Sequence, residues 1–201
     1  MKKVDNSNVE KMDARTFYQV RVGFTALVLV GIWSLLAWSY FHGGVPSHHL
    51  LADKDLPAFS NWWGGLVLPL LTWFLLYRLS KRVLSYTQPA ASPVNFQPQV
   101  LYGFAGGLFF GILLSVFFTF AYTNLAEYLL YSILLLALFL PIYRAECLLG
   151  FVLGMTVTFG GVLPTGIGTV LLAMCAGLYL LVRPGLLYLA SSFARVASAA
   201  K

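Results

Sequence analysis

Charge is scarce in this chain. Lys and Arg total 13 and Asp and Glu total 7, so charged residues make up only 10% of 201 positions. A soluble domain of this length needs a polar shell that such a composition does not supply, which excludes an ordinary globular fold in water. Cysteine is scarcer still. Cys147 and Cys175 both fall inside apolar runs, which excludes an exported disulfide framework and leaves them as small buried residues. Metalloprotease H-E-x-x-H, a phosphate-binding P-loop, rhomboid-type Ser and His pairs and potassium-filter residues are all missing, so no familiar catalytic, nucleotide-binding or ion-selective motif is present. No cofactor is called for.

Apolar residues are what the chain has instead: 59% of it is hydrophobic, and its mean hydropathy is +0.79. They are gathered into six runs: Val22 to Phe41, Trp62 to Tyr77, Val100 to Tyr122, Ala126 to Ile142, Glu146 to Leu163 and Thr165 to Val182. A helix needs about 20 residues to cross a hydrocarbon core of roughly 30 Å. The fourth run is short and closes at Pro141, whose ring removes a backbone donor, and Pro164 separates the fifth from the sixth. These runs predict an all-α integral membrane protein of six transmembrane helices, folded as one transmembrane domain over residues 1–201.

Basic residues give that map an orientation, because cytoplasmic loops carry an excess of Lys and Arg. With the N-terminus inside, Lys2, Lys3, Lys11, Arg15, Arg21, Arg78, Lys81, Arg82, Arg144, Arg183, Arg195 and Lys201 share the cytoplasmic side, and of the 13 basic residues only Lys54 falls outside. Both termini are then cytoplasmic, as expected of a bacterial inner (plasma) membrane protein. The net charge of +6 is accounted for by anionic headgroups at that face, with no nucleic-acid partner required. Trp38, Tyr40, Trp62, Trp63, Trp73, Tyr77, Tyr122, Tyr128 and Tyr131 lie near the run ends, where amphipathic rings anchor at the headgroup level.

Between the runs there is little room for a second domain. Residues 1–21 form a charged cytoplasmic lead ahead of a retained signal-anchor, since the apolar run is long and no small-x-small cleavage pattern follows. Residues 42–61 form an outer loop. The inner loop, 78–99, carries Pro89, Pro93 and Pro98 and has the composition of an extended linker. In the tail, 184–201, Leu186, Leu189, Ala190, Phe193 and Val196 recur at helical spacing, as in a helix lying on the inner membrane surface.

Ionisable groups inside a membrane are expensive, so the few present are the candidates for function. Glu127 follows Asn124 by three, the spacing of a reciprocal capping box at the start of the fourth helix. Glu146 opens the fifth helix, where negative charge favours the helix dipole. Arg144, two residues before it, shares no helical face with it and is placed to reach headgroups. An ion pair at an inner vestibule is the functional alternative for these two. His42, His48, His49, Asp53 and Asp55 form the one cluster of metal-type ligands, in the outer loop, although adjacent histidines converge poorly on one ion.

Glycine placement carries more information. Gly107 with Gly111 and Gly150 with Gly154 are small-xxx-small pairs of the kind that let helix backbones touch in lipid. Gly160, Gly161, Pro164, Gly166 and Gly168 form either a tight outer turn or irregular backbone around a cavity. Gly64, Gly65 and Pro69 in the second run and Gly160, Gly161 and Pro164 at the fifth interrupt the middle helix of each group of three. Paired interruptions point to a 3+3 inverted repeat with a site at its interface.

The leading function drawn from these features is an oligomeric channel or transporter for a neutral, lipophilic or weakly polar solute. Its pathway would be lined by Thr72, Thr156, Thr158 and Thr165, with Glu127, Arg144 and Glu146 as its ionisable groups. The alternatives are a non-catalytic accessory or scaffold subunit of a membrane complex and, third, a membrane enzyme using the outer His and Asp cluster. The expected partners are the lipid bilayer and either further copies of the chain or a membrane subunit. The topology is tested by cysteine labelling in a background lacking Cys147 and Cys175. A membrane-impermeant thiol reagent applied to intact cells should modify His48→Cys and spare Ala90→Cys, and labelling at position 90 would refute the six-span map.

Overall fold

The computed structural model of the protein describes residues 14–45, 47–49, 58–85, 96–188 and 191–192. Six helices follow in order: α1 (Ala14–Phe41), α2 (Gly64–Ser85), α3 (Phe96–Thr119), α4 (Thr123–Leu136), α5 (Ala145–Phe159) and α6 (Val162–Gly177). A ribbon of two short antiparallel strands, β1 (Ser47–His49) and β2 (Ala58–Ser60), precedes a single 3-10 turn at Asn61–Trp63 that leads into α2. Four helical stretches, Phe17–Phe41, Asn61–Val83, Pro98–Thr119 and Val162–Tyr188, are long and apolar enough to cross a membrane. α4 and α5, at 14 and 15 residues, reach only about 21–23 Å at the usual helical rise.

α5 is the centre of the bundle. It buries Leu148, Leu149, Phe151, Val152 and Met155 together with Glu146 and Thr156. α3 runs beside it in parallel. A side-chain carbon on Gly107 would strike the Cys147 carbonyl, and one on Gly111 would strike the Phe151 carbonyl. From the other side, Gly150 abuts the Phe104 carbonyl, and a carbon on Gly154 would lie 2.5 Å from the Leu108 carbonyl oxygen. The two small-xxx-small pairs are therefore the two halves of one seam, and every atom they meet is backbone. Ser115 donates across it to the Gly154 carbonyl at 3.5 Å, and Phe118 meets Phe159 edge-on at its far end, with ring centroids 5.5 Å apart.

The remaining helices are set by contacts at both ends. α2 lies antiparallel to α5: Gly64 closes on Gly161 at one end, 2.9 Å from its backbone nitrogen to a Gly64 side-chain carbon, and Arg82 meets Glu146 at the other. α1 pairs with α2, also antiparallel, through Leu36 against Gly65 and Tyr18 against Trp73. The Tyr143 and Tyr179 rings meet at a tilt of 45° with centroids 5.4 Å apart, which brings the far end of α6 to the start of α5. Arg21, Lys81, Arg82, Arg144 and Arg183 consequently share one pole of the bundle, fixed there by the ion pair and by cation–π contacts to Trp73, Tyr77 and Tyr179. Trp33, Trp62 and Tyr40 cluster at the opposite pole.

Chain reversals follow glycine and capping chemistry, and here several expectations are corrected. α1 ends in a Schellman-type closure, with Gly43 at φ +117° and the Gly44 amide reaching back to the Ser39 carbonyl at 2.9 Å. The same closure ends α3, with Ala121 in the left-handed position at φ +57° and the Tyr122 amide donating to Phe117. α4 therefore starts immediately, at Thr123, with Tyr122 as its N-cap and no capping side chain. Asn124 is already inside the first turn, so the capping box with Glu127 does not form. Gly160 (φ +71°) and Gly161 make a two-residue turn into α6, and Pro164 sits in the first turn of that helix, where its missing N–H costs nothing. The tight-turn reading of this stretch holds.

The helix interruptions proposed for an inverted repeat are absent. α2 is continuous through Pro69, and Gly160 and Gly161 lie between helices rather than within one. α4 ends at Leu136, ahead of Pro141. Beyond Gly177 the sixth helix passes through a π turn, Leu178–Val182, and continues helically to Tyr188. Widening there accommodates Pro184, whose ring would collide with the carbonyl four residues earlier. So the first residues of the 184–201 tail extend α6 rather than leaving it.

Packing at the seam predicts the fate of two glycine substitutions. Gly154→Leu must move α3 backbone and should cost about 3 kcal/mol, the upper range for overpacking, read as a lowered thermal midpoint in detergent. Gly166 on α6 faces open space, and Gly166→Leu should leave the midpoint within a degree or two. Equal midpoints for the two variants would place the seam elsewhere.

Candidate functional site

Among the described residues Glu146 is the best-buried charged side chain, at 2% exposure. It stands in the first turn of α5, where the seam with α3 has drawn that helix into the middle of the bundle. Gly103 gives it room: a side-chain carbon there would lie 2.9 Å from Glu146 Cγ. Arg82, near the end of α2, donates through Nη2 to Glu146 Oε1 at 2.7 Å, with the guanidinium side partly exposed. This is the partner that sequence reasoning missed. Arg144, the expected neighbour, is instead the uncapped N-cap residue of α5 and is half-buried. Arg82 Nε and Glu146 Oε2 have no hydrogen-bond partner among the described residues.

Two hollows meet at Glu146. The smaller, about 300 Å³, lies between α1, α2, α3 and α5 and is walled by Phe17, Phe24, Leu75, Leu79, Val100 and Phe104. The larger is about 720 Å³ and is bordered by α3, α4 and α6, with α5 as its floor. Its walls are apolar: Tyr102, Phe109, Phe110, Ile133, Leu136 and Leu172 are among them, with Gly103, Gly106 and Gly107 supplying bare backbone. Polar groups gather towards the basic pole, where Gln99, Arg144 and Glu146 line the same space. Ser132 also lines it, but its hydroxyl is turned to the Leu129 carbonyl at 2.7 Å. The size falls in the range of small-molecule and cofactor pockets, roughly 300–1,000 Å³.

The hydroxyls of three other candidate residues are engaged within their own helices. Thr72, Thr156 and Thr165 each donate to the carbonyl four residues back, Leu68, Val152 and Gly161, at 2.8, 2.7 and 2.6 Å. Thr72 and Thr156 are buried and Thr158 is half-buried. None of the four is among the residues lining these two hollows. Glu127 is exposed on α4. His42 is exposed, stacks on Trp38 at 3.8 Å between ring centroids and holds its Nδ1 3.0 Å from the Trp38 carbonyl, as a helix-end residue. The backbones of His48 and His49 lie in β1, paired with Phe59 and Ala58; Asp53 and Asp55 lie outside the described residues. Among the described residues no group of three metal-type ligands forms.

Breaking the ion pair should be costly and removing it cheap. Arg82→Met leaves the Glu146 carboxylate buried without its counter-charge and should destabilise by about 3 kcal/mol or more, whereas a paired Arg82→Met and Glu146→Met variant should recover most of that loss. Chemical unfolding in detergent measures both. A double variant no more stable than the single would show that the carboxylate is not the source of the penalty. Comparison with known protein families, characterised proteins and solved structures finds no match to this chain.

Proposed function

We propose that the protein is a bilayer-spanning bundle of six helical segments, its basic pole in the cytoplasm, that takes up a lipophilic solute from the side and holds or moves it within the membrane. The observation that carries this reading is the 720 Å³ hollow between α3, α4 and α6. It is apolar along most of its length, its borders are helices whose outward faces are apolar, and its charged groups are confined to one end. Such a space suits an amphiphile with its chain along the groove. A water-filled axial pathway lacks comparable support, because the buried hydroxyls expected to line one are bonded to their own helices.

Location supports the same reading. Lipid is the natural solvent for a surface that exposes Leu27, Val30, Leu70, Phe109, Val170 and Leu181. The basic pole matches the side on which anionic headgroups attract Lys and Arg. α4 and α5 are shorter than the hydrocarbon core; α5 is sheathed by α2, α3 and α6, and the turns from Ala137 to Arg144 lengthen the path of α4. A bacterial inner membrane fits this arrangement.

Gly106 provides the test, because it lines the hollow and nothing lies within 4 Å of where its side chain would stand. Gly106→Leu should keep the wild-type thermal midpoint while filling the groove. Protein purified in mild detergent should carry lipid that survives gentle exchange, detected by native mass spectrometry, and the variant should lose it. Retention of the same lipid by Gly106→Leu would rule out the groove as its site.

A further inference from the structure

Resting on that reading, the geometry points to the headgroup class as well: we infer that the groove selects a phosphate-headed anionic lipid of the cytoplasmic leaflet, held through Arg144. Three charged groups stand at the basic end of the bundle core, Arg82, Arg144 and Glu146. Arg82 is committed to Glu146 Oε1 at 2.7 Å, which leaves the trio with one net positive charge. Arg144 and Glu146 both line the groove, and among the described residues the Arg144 guanidinium has no hydrogen bond or ion pair. A half-buried guanidinium at the edge of an apolar slot recruits an anion, and phosphate matches its planar fork of donors.

The charged end selects the leaflet. The groove starts at Gln99, Tyr102 and Arg144 near the basic pole and runs to Leu113, Leu129 and Gly168, about 21 Å along α3 at the usual helical rise. Its charged end is at the basic pole, which puts the cation at headgroup level on that side and the apolar walls where an acyl chain of the same leaflet runs. Glu146 refines the choice. Its Oε2 is a buried acceptor with no partner among the described residues, so a headgroup carrying a hydroxyl donor beyond its phosphate satisfies both residues. Phosphatidylglycerol has that chemistry; phosphatidylcholine has neither the net charge nor the donor.

The full chain in mild detergent, titrated with phosphatidylglycerol or phosphatidylcholine of identical chains and read by native mass spectrometry, tests this. Wild type should prefer phosphatidylglycerol by about tenfold or more, the range of a charge-assisted hydrogen bond. Arg144→Gln should reduce that preference to within about twofold while still binding either lipid, and Arg144→Lys should keep part of it. An undiminished preference in Arg144→Gln overturns the headgroup assignment; the groove reading survives it if Gly106→Leu still loses both lipids and fails if Gly106→Leu binds as wild type. Glycerol phosphate distinguishes the source of the phosphate. Competition by the chainless compound at concentrations comparable to the lipid would make this a soluble-phosphate site and overturn the lipid assignment, whereas competition only at a large excess supports it.

Discussion

The backbone contact between α3 and α5 is the constraint from which the other features of the bundle follow. Helices in lipid gain little from burying apolar surface against each other, so close van der Waals approach must supply the attraction. Gly107 and Gly111 on one side and Gly150 and Gly154 on the other bring the two main chains together over about two turns. That contact holds the short α5 in the middle of the bundle, packed against α2, α3 and α6. It also spends two of the glycines on α3 while leaving Gly103 and Gly106 on neighbouring flanks. Gly103 makes room for Glu146, and Gly106 leaves the groove wall bare. One glycine-rich helix therefore builds both the backbone seam and a wall of the larger of the two hollows.

A buried carboxylate is the consequence of that placement. Glu146 sits in the first turn of a helix with its dipole in favour of the charge, but the dipole alone does not offset the loss of water at 2% exposure. Arg82 completes the compensation from α2. The Arg82 side chain is long enough to keep one edge exposed while the other bonds Glu146, so the pair is desolvated on one side only. A pair of well-packed apolar residues would serve stability at least as well. What the ion pair adds is chemical: it neutralises Glu146 beside the groove and leaves Arg144 as the uncompensated charge there.

Much of this was legible in the sequence, in the parts governed by local composition. Run lengths located the helices to within a few residues at most ends, and four of them are long enough to cross a membrane. Small-residue spacing identified both halves of the α3–α5 seam, since close approach needs glycine whatever the partner. Pairing between distant segments was less visible. Arg82 and Glu146 are 64 residues apart, and only their expected placement on the same, cytoplasmic side hinted at a meeting. The capping box at Asn124 failed because a Schellman closure at Ala121 starts α4 earlier than the spacing implied. The threonines carry less information for a different reason: a hydroxyl in an apolar helix satisfies itself on its own backbone, so its presence in a span does not by itself point to a pathway.

The two poles of the bundle differ in a way that bears on how a solute would travel. Away from the basic pole the helices close on one another. Gly64 is against Gly161, the Asn61 side chain fills the space beside Gly160, and Trp33, Tyr40 and Trp62 pack together. Towards the basic pole the spacing opens into two hollows that meet at Glu146. An arrangement sealed at one end and open sideways at the other is suited to exchange with one leaflet. Passage to the opposite leaflet would require the Gly64–Gly161 contact to part, and with it the packing of α2 on the α5–α6 turn. On the proposed reading the resting geometry suits capture and retention of an amphiphile, and any transport step would lie in the separation of α2 from that turn.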